Sequence, residues 1–183
     1  MYINMYSGGD IVNTKERRNY IENLLRNSIS PKKGQDIAEE LCVTRQVIVK
    51  DIAILRAEGL DIIATPEGYL MPNHEKVNTQ RVLPFSHSRE NIEDELQCVI
   101  KYGGTVRDVI VEHPVYGEIR AMLMIKTLYD IQSFVKRVEE YNAEPLLSLT
   151  KGVHLHTIEA ESEEIINNIV KELKSKGYLI EEY

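Results

Sequence analysis

Residues 34–71 read GQDIAEELCVTRQVIVKDIAILRAEGLDIIATPEGYLM, and this stretch decides the architecture of the N-terminal half. Ile37, Ala38 and Leu41 recur at helical spacing and predict a short helix over 34–41. Thr44 is placed to cap a further helix that carries Val47, Ile48, Ile52 and Leu55 inward and stops at Gly59. Between them Cys42-Val43 makes a tight turn. Ala38 is small where the two helices cross and Ile48 fills the angle between them, which is the spacing of a helix-turn-helix. Many such motifs carry Gly at the turn, where Cys42 stands here. Leu60 to Met71 then gives two short apolar runs around Pro66-Glu67-Gly68, a β-hairpin that reads as a wing.

Working outward, Thr14 to Asn27 sets Tyr20, Ile21, Leu24 and Leu25 on one stripe, with Thr14 as N-cap, before Ser30-Pro31 breaks the chain. Residues 1–13, with Ser7-Gly8-Gly9, read as a flexible leader, and 14–72 as a winged helix-turn-helix. A three-helix domain unrelated to DNA is the alternative; the wing directly after the third helix favours a DNA reader. In that role the N-terminal end of the recognition helix enters the major groove of double-stranded DNA. Arg45 and Gln46 then reach base edges, and Thr44 and Lys50 hold phosphates. Lys32, Lys33 and Arg56 could add backbone contacts.

Past Pro72-Asn73-His74 the pattern changes, and a domain boundary falls near 72–78, with His74 in an exposed linker. Strands are expected at 81–85, 105–112, 117–126, 151–159 and 178–182, and helices at 89–102, 128–142 and 163–176. The order βαββαβαβ predicts an α+β domain over 78–183, helices layered on a mostly antiparallel sheet.

Composition narrows the partners. The formal charge of −7 over 183 residues argues against non-specific coating of nucleic acid. Through residue 72, however, nine Lys/Arg nearly balance ten Asp/Glu, so the acidity sits in the second half. No run approaches the roughly 20 apolar residues of a membrane span, and MYINMYSGGD lacks the pattern of a secretory signal, so the expected location is the cytoplasm with no membrane partner. Cys42 and Cys98 are isolated thiols in apolar patterns and are expected buried and reduced.

Chemistry gathers on histidines. In Gly152-Val-His-Leu-His-Thr-Ile158 the strand period puts His154 and His156 on one face, where both can hold one metal ion, or stand as a hydrogen-bonded pair. Glu95 falls on the stripe of Ile92, Cys98 and Val99, where a carboxylate needs a cation beside it. With His87 these form a candidate site of three imidazoles and one carboxylate, suited to zinc or nickel. His113, held extended before Pro114, is either structural or pocket-lining, with Tyr116 close in sequence.

TRQVIVKDIAILRAEGLDIIATPEGYLM, VEHPVYGEI and LTKGVHLHTIEA together resemble the NiaR niacin-responsive repressors of Gram-positive bacteria and Thermotogales, from about residue 15 to the end. The resemblance implies a winged helix-turn-helix joined to a three-histidine domain, in a dimeric repressor of NAD-synthesis or niacin-uptake genes that responds to nicotinic acid. It also implies a divalent metal, nickel in the family's fold, on a histidine, a glutamate eight residues later and an HxH pair: here His87, Glu95, His154 and His156. His113 and Tyr116 are then candidate effector contacts. A regulator for which the metal itself is the signal shares every one of these ligands. An enzyme is disfavoured, since no unassigned base or nucleophile stands beside them.

Overall fold

The computed structural model describes residues 13–72 and 78–180. The leader, apart from Asn13, and His74 lie outside them. The chain divides into two compact units, meeting in sequence at Pro72 and Asn73.

The first unit is built from α1 (Thr14–Arg26), α2 (Gly34–Glu40), α3 (Arg45–Ala57), β1 (Ile63–Thr65) and β2 (Gly68–Leu70). Its core is Ile21, Leu25, Ile37, Ala38, Leu41, Ile48, Ile52, Leu55 and Ile62. At roughly 1.5–3 kcal/mol for each fully buried large aliphatic side chain, this cluster is the main force holding the helices together. Asn13, not Thr14, caps α1, its side chain accepting from the Lys15 amide at 3.0 Å. Thr14 already has helical geometry as the first residue of α1, so the capping position falls one residue earlier.

Cys42 has a φ of +53°, the left-handed position that glycine usually takes at this turn. That geometry carries its side chain outward, so Cys42 is exposed, contrary to expectation, while Cys98 is buried. Asp51 is the polar surprise of this core. It is almost fully buried and bridges α3 to α1 through Arg17 Nε and Nη2, with Arg18 Nη1 4.0 Å away.

β1 and β2 pair antiparallel as the expected hairpin. Lys32 adds a third strand position, its amide and carbonyl both bonding Tyr69 at 2.8 Å. Gly68 allows this approach: its φ is +137°, and a Cβ there would stand 2.3 Å from the Lys32 carbonyl oxygen.

The second unit runs β3 (Thr79–Ser86), a 3-10 turn (Arg89–Asn91), α4 (Ile92–Ile100), β4 (Thr105–His113), β5 (Gly117–Ile125), α5 (Leu128–Glu140), a second 3-10 turn (Leu146–Thr150), β6 (Val153–Ala160) and α6 (Glu163–Ser175). The sheet order is β3-β6-β4-β5 and every neighbouring pair is antiparallel. Leu83, Phe85, Val106, Leu123, Ile125 and Ile158 from the strands pack with Leu96, Val99, Ile131, Ile169 and Leu173 from the helices. Thr127 and Asp130 form a capping box on α5, and Ser162 caps α6.

The expected final strand at 178–182 is reduced to a bridge between Leu179 and Phe85, flanked by Ser86 N to Tyr178 O at 2.9 Å and Ile180 N to Pro84 O at 3.0 Å. Pro84 has no N–H to return a bond, which limits the ladder on that side. Residues 181–183 lie outside the described chain. β4 advances four residues, Val106 to Ile110, while β6 moves three, Ile158 to Leu155. Asp108 sits within this bulge.

Candidate metal centre and DNA-reading helix

β6 sets His154 and His156 opposite Phe85 and Leu83 of β3, so both imidazoles share the face of those core residues. The Phe85 ring stacks on His154 at 5.4 Å and meets His156 edge-on at 5.1 Å. Glu95 reaches the same point from the first turn of α4, and His87 from just past the end of β3. All four side chains are at most 5% exposed. His87 Nε2 lies 2.8 Å from Glu95 Oε2, His154 Nε2 3.8 Å from the same oxygen, and His156 Nε2 3.0 Å from Oε1. The four residues that the sequence nominated therefore converge.

The other ring nitrogens show how the cluster is aimed. His87 Nδ1 faces the Ser88 carbonyl at 2.9 Å, His154 Nδ1 the Gly152 carbonyl at 2.8 Å, and His156 Nδ1 the Asp108 carbonyl at 2.5 Å. A carbonyl can only accept, so each Nδ1 carries a proton and each Nε2 of a neutral ring turns a lone pair toward Glu95. Lone pairs then face the lone pairs of a carboxylate in a dry interior, and His154 Nε2 and Glu95 Oε1 are buried without a hydrogen-bond partner. Such an arrangement demands positive charge at its centre, from protons or from a cation. Three imidazole nitrogens and one carboxylate, each imidazole oriented by a backbone carbonyl, fit a borderline divalent ion. His87, Glu95 and His154 each offer a ligand atom within 4.8 Å of the others'.

Electrostatics agree. Burial works to raise the Glu95 carboxyl, but His156, His154 and His87 outweigh it and hold the group well below the usual carboxylate range. Burial works to lower His87 and His156, and the Glu95 carboxylate overcomes it, so both are raised.

Sequence reasoning missed three supports of this cluster. Gly152, at φ +97°, accepts from both His87 N (3.3 Å) and His154 Nδ1, and a Cβ on it would stand 2.4 Å from the His87 carbonyl oxygen. Buried Asp108 orients His156 through its carbonyl, while its Oδ1 accepts from the Thr157 amide at 2.9 Å. Tyr178 sets its ring 5.2 Å from His87 and donates its hydroxyl to Asp94 at 2.7 Å. Only the Lys-Gly before the HxH strand carried a signal, as a turn with two positive-φ residues.

His113 and Tyr116 are not brought to the cluster. His113 Nδ1 accepts from the Val115 and Tyr116 amides at 3.2 and 3.4 Å, and the two rings lie 4.9 Å apart at the tip of the β4-β5 hairpin. The tip is five residues beyond Asp108, roughly 16 Å along an extended strand. In this chain the imidazole closes a turn.

On the first unit, Thr44, Arg45, Gln46 and Lys50 are all exposed, as a reading helix requires. Thr44 is the N-cap of α3 but its side chain makes no capping bond, which leaves the hydroxyl for another acceptor. Val49, 45% exposed, lies on the same face one turn past Arg45. The sequence reading passed over it, although an apolar side chain there suits a thymine methyl. Arg56 has a structural task, its Nε donating to the Ile62 carbonyl at 2.7 Å.

Residues 17–70 match the HTH domain and residues 80–182 the 3H domain. The class is thus a DNA-binding regulator. Over 168 residues the chain is 49% identical to Probable transcription repressor NiaR of Thermotoga maritima, an alignment covering 92% of this chain and 95% of that one. It is 38% identical over 169 residues to Transcription repressor NadR of Bacillus subtilis, covering 91% and 94% respectively. The chain belongs to this NiaR/NadR family of transcription repressors. No helix among the described residues is long and apolar enough to cross a membrane.

Proposed function

We propose that this protein is a cytoplasmic, homodimeric repressor that binds double-stranded operator DNA in response to nicotinic acid and controls genes of NAD synthesis or niacin uptake. We further propose that His87, Glu95, His154 and His156 hold a divalent ion, nickel or zinc, in its effector domain. The observation that carries the metal assignment is that His87, Glu95 and His154 bring a ligand atom each within 4.8 Å of one another, with His154 Nε2 left without a partner, while His156 Nε2 lies 3.0 Å from the other Glu95 oxygen. The names of the relatives support a transcription repressor, and the resemblance of the three quoted motifs supports the niacin reading.

When bound, the ion supplies a Lewis-acid centre for a pyridine nitrogen or a carboxylate. The chain's own residues do the rest: backbone carbonyls fix the imidazoles, and Phe85 and its neighbours exclude water. His113 and Tyr116, at the exposed hairpin tip, lie apart from this centre along their own chain. Arg45, Gln46, Thr44 and Lys50 present α3 to the major groove. Titrating nicotinic acid against operator binding, followed by fluorescence anisotropy, tests the reading. Affinity that shifts with nicotinate supports it, and unchanged affinity at saturation removes it.

The burial of all four donors favours one second reading, in which the metal itself is the signal. Adding metal or chelator in the absence of nicotinate separates the two: a metal sensor responds to metal alone, and the nicotinate repressor does not.

A further inference from the structure

The two edges of the C-terminal sheet are built differently. β3 carries Pro84 and is partly covered by Tyr178 to Ile180. β5 has neither device: among the described residues it pairs only with β4, and it contains no Pro or Lys. Its guards are two charged side chains, Glu118 and Arg120, and the left-handed Met124; over 117–121 the edge N–H and C=O groups remain a template for pairing with another strand. Beside it the hairpin tip exposes Val115 and Tyr116, each by about three quarters.

We propose that β5 pairs antiparallel with β5 of a second copy of this chain about a two-fold axis at Ile119, joining the two sheets into one. This rests on the homodimer reading above and adds its interface and register. A two-fold axis perpendicular to the sheet sets residue i opposite a residue of the partner such that their numbers are symmetric about the centre. Centring on Arg120 or Glu118 would oppose like charges, and centring on Ala121 would set Arg120 opposite Met122. Centring on Ile119 sets Glu118 opposite Arg120, twice. Both are exposed, by 63% and 47% of their side chains; within one copy Arg120 lies 3.5 Å from Glu118 and 3.5 Å from Asp108, and the partner strand adds a further opposite charge directly across the sheet for each. The same register brings Tyr116 near the partner strand's Met122, covering the apolar tip. The left-handed Met124, at φ +54°, breaks the strand's regularity beyond that point, so the paired stretch runs over 117–121.

Cysteine cross-linking of the full-length protein tests the register. In a Cys42→Ser background, which removes the exposed thiol, Ile119→Cys places its thiol opposite its own copy at a Cβ separation of roughly 5 Å. Ala121→Cys is displaced from its copy by about four residues, roughly 13 Å. Oxidation with a short thiol cross-linker as second reagent is expected to convert Ile119→Cys to a covalent dimer and leave Ala121→Cys as monomer. Glu118→Arg, at an exposed position, is expected to weaken the dimer about tenfold in sedimentation equilibrium. Absence of the Ile119→Cys cross-link in a protein that still sediments as a dimer overturns this interface and leaves the homodimer standing. A monomer at tens of micromolar overturns both.

Discussion

At Glu95 burial and charge act in opposite directions, and the neighbouring imidazoles win, holding the carboxyl well below its usual 4.5. At His87 and His156 burial is again the largest influence and again loses, leaving both above the ordinary 6.5. The Glu95 contribution to stability is present above pH 4.5 and lost as pH falls through its depressed folded value. That of the imidazoles is present below pH 6.5 and lost as pH rises through their raised values. In chelator, the melting temperature is therefore expected to be higher near pH 6 than near pH 8.5; a midpoint that rises over that interval would contradict the cluster as drawn. Added zinc should do the reverse, stabilising more at the higher pH, because it competes with the protons on His87 and His156. Gly152→Ala tests the support beneath them. A Cβ 2.4 Å from the His87 carbonyl oxygen at φ +97° should cost about 2–4 kcal/mol in denaturant unfolding, with loss of bound zinc in the same preparation.

At the scale of elements, α3 serves two masters. Its outer face carries Arg45, Gln46, Val49 and Lys50, and its inner face carries Ile48, Ile52, Leu55 and the buried Asp51. The two DNA roles separate in solution. Arg45→Ala is expected to cost roughly 1–3 kcal/mol on the operator and to relax base preference, whereas Lys50→Ala should weaken all sequences alike and reduce the salt slope by about one. Equal losses on operator and unrelated DNA for Arg45→Ala would remove it from base contact. Asp51→Ala strands Arg17, whose side chain is 12% exposed, and should destabilise the first unit by about 3 kcal/mol. Helical spacing made Ala38, Ile48 and the wing readable without coordinates, because those residues act through period and size. Asp51 was not readable: a charged residue in a helix reads as solvated until its partner from α1 is seen to cover it. Arg17 lies 34 positions earlier in the chain, and no local pattern links the two.

Across the whole molecule, the chain packs as two compact units, and the effector response proposed above requires them to communicate. If nicotinic acid raises operator affinity by some factor, operator must raise nicotinic acid affinity by the same factor. Calorimetric titration of nicotinate with and without operator, set beside operator titrations with and without nicotinate, should return that single number; unequal factors would mean the two ligands do not share one equilibrium. The domain order and the meeting of His87, Glu95, His154 and His156 were open to reading because HxH on a strand and Glu on an apolar stripe are short-range signals. Of their supports Gly152 left a turn signal, whereas Asp108 stayed hidden because it orients His156 through a main-chain carbonyl that every residue possesses. That same property shapes how the centre tolerates mutation. All three imidazoles are oriented by carbonyl oxygens of the backbone, at Ser88, Gly152 and Asp108. No amino-acid replacement at those positions can delete the acceptor or alter its basicity. Substitution there can only move it, so the choice of ring tautomer is insulated from the genetic code and vulnerable only to the path of the chain.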